Sequence, residues 1–590
     1  MYSKVRLLWT WLIVMVACLG LNCSSVVMAA TPDGTVSAFQ KISGRQGGFH
    51  GNLKAYDGFG YSVTPLGDID HDGVTDIAVG APYTSGSPGA GKGNAIWILF
   101  MQPNGRVKSE VKISNPETTS LDAFDRFGSS VANIGDLNQD GYTDIAVGSP
   151  LDADGALQSG AFWIFFLNDK GNILGQRKIS AISGDPWPGP GYVDRLGYSI
   201  TAIGDLDSDG VQDIAVGAPF DDDGGANTGS LWILFMNTDA TIKDYQKISK
   251  TAGGLSLDLG NEANFGNRSA NIGDLNKDGV VDLAIGTAPV DDDVYILFLN
   301  ADGTVKGHQR LSDSAGILED RHLINFGGAV SGIGDLNNDG TLDIAVGAPL
   351  DYDGGQATGA IYIMFMNADG TANHYQKISD LSGGFEGKLD RNDMFGRSIT
   401  NIGDLNQDGV IDLAVGAPGD DDGGRDFGAV WILNMRGETS TIIRNHEFEN
   451  GTADWRFSSN GRGIFSTSNN AYSRQSAAEL MILRAGTNVQ LYQNRILLEP
   501  NQRYRLQFAA YSSNGQDMAI YLHKHQAPYT NYGLSTTVNL STDWQVFEFE
   551  FTTTGFTHVV NDGRLRFWFA PYDVDGMTYW IDQVILDKIN

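Results

Sequence analysis

Apolar and polar positions along the chain fall into a long-range repeat. A short apolar run such as Asp76-Ile-Ala-Val-Gly-Ala-Pro82 or Asp412-Leu-Ala-Val-Gly-Ala-Pro418 is followed by a second one, Ala95–Met101 or Ser230–Met236. Next comes a segment that ends in Lys-Ile-Ser or a near variant, as at Tyr245–Ser249. A further short strand introduced by Phe-Gly opens each set, at Phe59, Phe127, Phe265, Phe326 and Phe395, with Leu196-Gly197 as the exception. Brief apolar runs separated by glycine-rich turns read as buried strands. Four such strands per unit, repeated along the chain, predict an all-β array of propeller blades or of solenoid turns.

Between the first two strands of every unit stands an acidic nine-residue loop: DIDHDGVTD from Asp68, DLNQDGYTD from Asp136, DLDSDGVQD from Asp205, DLNKDGVVD from Asp274, DLNNDGTLD from Asp335 and DLNQDGVID from Asp404. The spacings of 68, 69, 69, 61 and 69 residues mark one structural unit copied along the chain. Positions 1, 3, 5 and 9 carry only Asp or Asn, position 6 is always glycine, and position 7 varies, as it would if only its carbonyl mattered. All-oxygen coordination by a flexible loop with a sharp glycine turn suits Ca²⁺ better than Mg²⁺ or zinc. The expected ligands are Asp68, Asp70, Asp72, Val74 and Asp76; Asp136, Asn138, Asp140, Tyr142 and Asp144; Asp205, Asp207, Asp209, Val211 and Asp213; Asp274, Asn276, Asp278, Val280 and Asp282; Asp335, Asn337, Asp339, Thr341 and Asp343; and Asp404, Asn406, Asp408, Val410 and Asp412. About six Ca²⁺ ions are implied, with a structural role, because protein oxygens fill the coordination sphere.

The ends of the array separate the two architectures. Asp33–Ser43 matches the fourth-strand sequences Asp302–Ser312 and Asp369–Ser379 yet precedes the first full unit, while the sixth unit stops at Trp431–Met435 without a fourth strand. An N-terminal strand that completes the last blade closes a ring and removes the open edges, whereas a solenoid needs caps. The expectation is a six-bladed β-propeller over residues 31–435.

The Phe-Gly pair, the Asp-x-Asp-x-Asp-Gly-x-x-Asp loop and Gly-Ala-Pro together resemble FG-GAP repeats, as in the N-terminal β-propeller of integrin α chains. That resemblance implies Ca²⁺ held between strands 1 and 2 and ligands bound on the opposite face. The fourth unit departs from the pattern, with Gly286-Thr-Ala-Pro289 and a shortened following loop. Alternation of antiparallel strands puts the 2–3 and 4–1 loops on that opposite face. These include Asp221-Asp-Asp-Gly-Gly225, Asp351-Tyr-Asp-Gly-Gly355, Asp420-Asp-Asp-Gly-Gly424 and the insert Asp185–Tyr192, whose aspartates read either as turn formers or as functional groups.

After a polar linker at 436–443 the period disappears. Strictly alternating segments such as Tyr504-Arg-Leu-Gln-Phe508, Trp544–Phe551, Arg564–Phe569 and Trp580–Leu586 predict one β-sandwich over 444–590. The opening Glu447-Phe-Glu-Asn-Gly451 and closing Ile581-Asp-Gln-Val584 resemble jelly-roll carbohydrate-binding modules. By that resemblance Glu449 and Asp582 share one further structural Ca²⁺. Alternation puts Tyr504, Leu506, Phe508, Ile520, Leu522, Phe567 and Phe569 inward. It turns Arg505, Gln507, Tyr511, Tyr521, His523, Arg566 and Trp568 outward, as a carbohydrate platform of flat aromatics and planar hydrogen-bonders or as surface that packs on the propeller.

Charge and the N-terminus bear on compartment. Lys4 and Arg6, the apolar run Leu7–Leu21 and Val27-Met-Ala-Ala30 are laid out like a secretory signal at 1–30; a short membrane anchor and a lipoprotein site at Cys18 are the other readings of this segment. Cys18 and Cys23 are the chain's two cysteines, so a cleaved chain has no disulfide and relies on metal as its staple. A net charge of −31 argues against nucleic acid or an anionic membrane surface as partner, and no membrane insertion is expected once the signal is removed. Neither a catalytic triad, a Cys nucleophile nor a phosphate-binding loop stands out. The leading reading is therefore a secreted or cell-surface, calcium-stabilised adhesion or glycan-binding protein without catalysis, whose partner is an extracellular glycan or glycoprotein. The alternative is a glycan-processing enzyme or accessory subunit with its active site on the propeller's 2–3/4–1 face.

Overall fold

The computed structural model describes residues 34–83, 94–115, 125–287, 292–311, 325–337, 339–407, 410–435, 442–446, 448, 451–472 and 476–588. The leader expected at 1–30, the ligands Asp408 and Glu449, and most of the linker lie outside these residues. Among the described residues every regular element is a strand.

Six four-stranded antiparallel sheets come first in the chain. Their innermost strands are Ser62–Gly67, Val131–Gly135, Ile200–Gly204, Arg268–Gly273, Ala329–Gly334 and Ser398–Asn401. Each is neighbour to the next, and Ser398–Asn401 returns to Ser62–Gly67, so the sheets stand in a ring. Five of the sheets are built from four consecutive strands; the sixth takes its outer strand from Val36–Ser43, paired antiparallel with Ala429–Met435 through Phe39↔Leu433 and Lys41↔Trp431.

The recurrent glycines explain why one sheet follows another at this close spacing. The glycine of each Val/Ile-Gly pair in the second strand faces the carbonyl of the next unit's Phe-Gly glycine. A Cβ built on Gly80, Gly148, Gly217, Gly286, Gly347 or Gly416 would lie 1.8–2.1 Å from the carbonyl oxygen of Gly128, Gly197, Gly266, Gly327, Gly396 or Gly60 respectively. The last of these contacts joins the sixth sheet to the first. Small residues complete the seam: Ser62, Ser130, Ser199 and Ser398 donate their hydroxyls to the same carbonyls of Gly128, Gly197, Gly266 and Gly60 at 2.8–2.9 Å. The preceding Phe or Leu (Phe59, Phe127, Leu196, Phe265, Phe326, Phe395) is fully buried in each case.

Between neighbouring sheets lie apolar clusters, each drawn from two consecutive units. One mixes Val63, Ile77 and Trp97 of the first sheet with Ile402, Val430 and Ile432 of the sixth and Ile42 of the N-terminal strand, so burial as well as hydrogen bonding closes the ring. Inside the ring the six innermost strands surround a channel of about 460 Å³.

The C-terminal part forms two five-stranded antiparallel sheets. One runs in the order Arg456–Ser458, Gln490–Leu498, Val560–Trp568, Met518–Lys524, Asn531–Val538; the other is Gly463–Ser468, Ala477–Ile482, Thr578–Lys588, Arg503–Ser512, Gln545–Thr552. Their inner faces share one core containing Tyr504, Leu506, Phe508, Ile520, Leu522, Phe567 and Phe569, the alternation read from the sequence. Trp455 also joins that core.

The seam makes a direct prediction. Gly217→Ala forces its methyl onto the Gly266 carbonyl and is expected to destabilise the ring by roughly 2–3 kcal/mol in chemical denaturation. Gly260→Ala, with open space around its Cβ, is expected to leave the midpoint unchanged.

Candidate cation loops and glycan face

A glycine at positive φ (+69° to +81° at Gly67, Gly135, Gly204, Gly273 and Gly334) and a register shift end the innermost strand of five sheets and turn the chain into the acidic loop. The loops are held by their own aspartates. The position-1 carboxylate accepts the N–H groups of positions 5 and 6, as Asp68 does from Asp72 and Gly73, both at 2.8 Å. Asp136, Asp205, Asp274 and Asp335 repeat this arrangement. Position 5 then accepts from position 7.

The position-9 residues Asp76, Asp144, Asp213, Asp282, Asp343 and Asp412 are almost fully buried at the start of the second strand. Each accepts the N–H of loop position 2; all but Asp282 also accept one from the end of the third strand, as Asp76 does from Ile69 and Met101. Burial pushes the carboxyls of Asp76, Asp144 and Asp343 up to about 7 and those of Asp213 and Asp282 up to about 6. The second oxygen of Asp282 is shielded and unpartnered, as is Oδ1 of Asp70.

These observations test whether a cation fits. Carboxylate oxygens of Asp68, Asp70 and Asp76 lie within 4.8 Å of one another, and those of Asp205, Asp207 and Asp209 do the same. In the first loop the Lys108 ammonium bridges Asp70 and Asp72 at 2.7 and 2.6 Å; in the third, Lys243 bridges Asp207 and Asp209 at 2.6 and 2.5 Å. Lys306 reaches Asp278 of the fourth loop at 2.7 Å. A positive charge is thus drawn to the mouths of three loops whose donors are all hard oxygens, so the residues fit Ca²⁺. In loops two and five the Asn amide instead donates to the position-5 carboxylate, from Asn138 to Asp140 and from Asn337 to Asp339, both at 2.9 Å. In loop six, Asp404, Asn406, Val410 and Asp412 are described and Asp408 is not.

The sequence reading treated position 7 as a backbone position only. Its side chain also packs: Val74 is buried in the cluster that closes the ring, Val211, Val280 and Val410 lie against other inter-sheet clusters, and Tyr142 is exposed. The lysines escaped notice, although a signal existed. Val107-Lys108, Ile242-Lys243 and Val305-Lys306 occupy one place in the repeat, where the fourth strand begins.

On the opposite side the Asp-x-Asp turns prove to be clamps. Lys41 bridges Asp420 and Asp422 (2.6 and 3.0 Å), Lys178 bridges Asp152 and Asp154 (2.7 and 2.9 Å), Lys247 bridges Asp221 and Asp223 (2.8 and 3.2 Å), and Lys377 bridges Asp351 and Asp353 (3.1 and 3.5 Å). Each ammonium also sits 5.0–5.6 Å from the ring centre of Trp431, Trp163, Trp232 or Tyr362. The loop between the second and third strands is thereby tied to the fourth. The insert Asp185–Tyr192 is pinned too, by Asp185 to Arg177 at 2.9 Å and by Trp187 edge-on to Trp232.

The carbohydrate set divides between two faces. Tyr521, His523, Arg566 and Trp568 point outward from one sandwich sheet, whereas Arg505, Gln507 and Tyr511 point outward from the other, so the single platform expected from alternation is corrected to two. Alternation assigns a residue to inside or outside and carries no information on which sheet its strand joins. On the second sheet Arg505 is bound to Asp587 at 2.8 Å, and Tyr511 stacks on Trp580 (4.5 Å, 3° between planes) beside Trp544.

On the first sheet, pairing brings Tyr492, Arg566 and Tyr521 into one row across three strands, flanked by Gln490 and Trp568 on one side and by Asn494, Arg564 and His523 on the other. Arg566 lies 4.7 Å from the Tyr521 ring centre and 4.6 Å from Trp568, and Arg564 lies 3.6 Å from Tyr492. Nε of Arg564, Nε of Arg566 and Nε2 of His523 are shielded without a partner. Burial, with Arg566 and Arg564 nearby, lowers the His523 pKa. Tyr492, Gln490 and Asn494 were absent from the sequence-derived set because only cross-strand register reveals them, whereas Arg564 shares the parity of Arg566 and Trp568 on its strand. Asp582 is buried and accepts the N–H groups of Tyr472 and Gln583 (2.9 and 2.8 Å); its expected partner Glu449 is outside the described residues.

Comparison with known proteins agrees with this division. The FG-GAP repeat family matches residues 59–99, 127–165, 196–234, 326–364 and 395–433, and a carbohydrate binding domain family (CBM_4_9) matches residues 440–573. The chain thus carries five recognised FG-GAP repeats followed by a carbohydrate-binding domain. Integrin alpha-PS5 of Drosophila melanogaster is 35% identical over 174 residues, 29% of this chain and 16% of that protein. Human integrin alpha-6 is 40% identical over 162 residues, 27% of this chain and 12% of that protein. Integrin alpha pat-2 of Caenorhabditis elegans is 28% identical over 244 residues, 39% of this chain and 18% of that protein. The chain spans 12–18% of the length of these curated relatives. A solved structure described as "CBM4 structure and function" is similar to 24% of this chain and is itself covered to 99%, at 20% identity and a TM-score of 0.21.

The clamps yield a prediction. Lys247→Met leaves the buried Asp221 carboxylate beside Asp223 with no cation, and is expected to lower stability by about 2 kcal/mol in urea unfolding. Lys388→Met, at an exposed pair with Asp390, is expected to change it by less than about 0.5 kcal/mol.

Proposed function

We propose that this chain is an exported, calcium-stabilised adhesion or glycan-binding protein that acts by binding and not by catalysis. One observation carries the reading. A sandwich sheet presents Tyr492, Tyr521 and Trp568 outward, with Arg564, Arg566 and His523 between them holding shielded, unpartnered nitrogens. Flat aromatics take the apolar face of a sugar ring, and fixed planar donors beside them take its hydroxyls. The carbohydrate-binding family match over 440–573 supports glycan as the ligand, and the integrin relatives support adhesion as the setting. Catalysis on the propeller face is the less favoured reading, because lysines neutralise the acid pairs of its 2–3 loops.

Ca²⁺ enters this proposal as a staple. When bound, it supplies the charge that gathers the position-1, -3, -5 and -9 oxygens; Lys108, Lys243 and Lys306 hold part of that role without it. At ten times its Kd each ion contributes about 1.4 kcal/mol. Chelation is therefore expected to lower the melting temperature of the repeat region far more than that of the sandwich. A scanning calorimetry trace unchanged by chelator would remove calcium from the account. Lys243→Gln, which deletes a competing cation, is expected to tighten Ca²⁺ binding in a chelator competition assay.

The glycan face is tested by pairing two substitutions in the full chain. Losing an aromatic stack costs about 1–3 kcal/mol. Trp568→Ala is expected to weaken glycan-array binding tenfold or more with an unchanged melting temperature, while Tyr511→Ala, on the other sheet, leaves binding intact. The opposite pattern would move the site to the second face.

A further inference from the structure

At one end of the propeller channel stands a cluster that the glycan face and the cation loops do not use. Tyr61, Tyr198, Arg268 and Arg397 stand just before or at the start of innermost strands, the end opposite the acidic loops, and all four line the channel. The two guanidiniums converge. Nε of Arg268 and Nη1 of Arg397 both donate to the carbonyl of Gly328, at 3.0 and 3.3 Å, and Arg397 also donates to the Tyr61 hydroxyl. Both lie within 6.0 Å of the Tyr61 ring centre, and Arg268 lies 5.3 Å from that of Tyr198. Tyr83 packs edge-on against Tyr61 at 5.2 Å, with Arg126 over it at 5.2 Å. Burial lowers the pKa of nearby Arg195, and the like charge of Arg126 adds to the effect.

Among the described residues none of these four arginines has a carboxylate partner, in a chain whose net charge is −31 and whose lysines on the same side of the ring are clamped by aspartates. Burial opposes the charge of Arg397 and the phenols of Tyr61, Tyr198 and Tyr83 favour it, yet like charges gathered in a partly enclosed site with no carboxylate leave it net positive. An anion relieves it. Guanidinium forks match a carboxylate bidentately. Below them the channel wall is lined with hydroxyls and amides such as Thr64, Thr201, Asn271 and Thr400, and the volume of about 460 Å³ lies in the range of small-ligand sites. The wall calls for a polyhydroxylated body and the rim for one negative charge.

We propose that this end of the channel binds the carboxylate of an acidic saccharide, a uronate residue, with Arg268 and Arg397 holding the charge and the channel wall holding the hydroxyls. The proposal rests on the glycan-binding reading, extended to a second, charge-selective site remote from the sandwich.

The test is titration calorimetry of the full chain with D-galacturonate and D-glucuronate, with D-galactose and D-glucose as neutral controls and inorganic phosphate as a second anion. Uronate binding without neutral-sugar binding is expected. Arg268→Gln is expected to weaken it at least tenfold while leaving glycan-array binding, the readout of the sandwich face, unchanged, so the two readings fail separately. Should Arg268→Gln lower the melting temperature, Arg268→Lys, which keeps the charge and loses the fork, is expected to weaken uronate binding severalfold in a stably folded chain. Equal binding of neutral sugars, phosphate binding as tight as uronate, uronate binding untouched by both Arg268 variants, or no uronate binding would each overturn the proposal.

Discussion

The contact between a second-strand glycine and the carbonyl of the next unit's Phe-Gly glycine sets the geometry of the repeat region. At 1.8–2.1 Å from a would-be Cβ, the two backbones approach as closely as peptide groups can, and any side chain would wedge the sheets apart. The innermost strands then stand near enough for serine hydroxyls to bridge them. The channel, the apolar wedges between sheets and the outward splay of the loops all follow from repeating this contact around a circle. Because it recurs between Gly416 and Gly60, the circle closes without a special joint.

Charge is arranged about that ring in two unlike ways. At one end acidic loops concentrate carboxylates around a place for a cation, with lysines from the fourth strand leaning in. On the side of the 2–3 loops acid is cancelled locally by Lys-Asp clamps, and at the channel rim Arg268 and Arg397 have no carboxylate partner among the described residues. A chain of strongly negative overall charge thus presents a positive rim, which would be invisible in any estimate built on composition.

The fold was largely legible because its signals are local and repeated. Phe-Gly, Gly-Ala-Pro and the apolar third strand each recur at a fixed place, and the alternation of Tyr504, Leu506 and Phe508 marked the sandwich core correctly. The acidic loops were legible as loops for the same reason, whereas the burial of their ninth position was not. What escaped depended on which strands meet. Tyr511 and Tyr521 are both outward, yet they belong to different sheets, and Tyr492 enters the aromatic row only through its pairing with Arg566. Lys247 and Asp221 lie 26 residues apart, and a charge pair of that kind has no signature of its own in the sequence. Arg268 and Arg397 meet across 129 residues at a carbonyl from the unit between theirs, a meeting set by the packing of three consecutive sheets, and the contact of Arg397 with Tyr61 is the one that ring closure creates.

The outer strand of the sixth sheet also governs how the chain must be made. Val36–Ser43 pairs with Ala429–Met435, so once made the earlier strand waits for nearly four hundred residues before its partner exists. At roughly 5–20 residues per second that wait is on the order of 20–80 s. The five sheets between them are each built from neighbouring strands and can form in sequence, but the ring stays an open arc until the last arrives. Closure is thus the step of highest contact order and the slowest in principle. Val36 and Ile42 of the waiting strand are covered only in the closed ring, so until then the arc carries an unpaired edge with apolar groups on it.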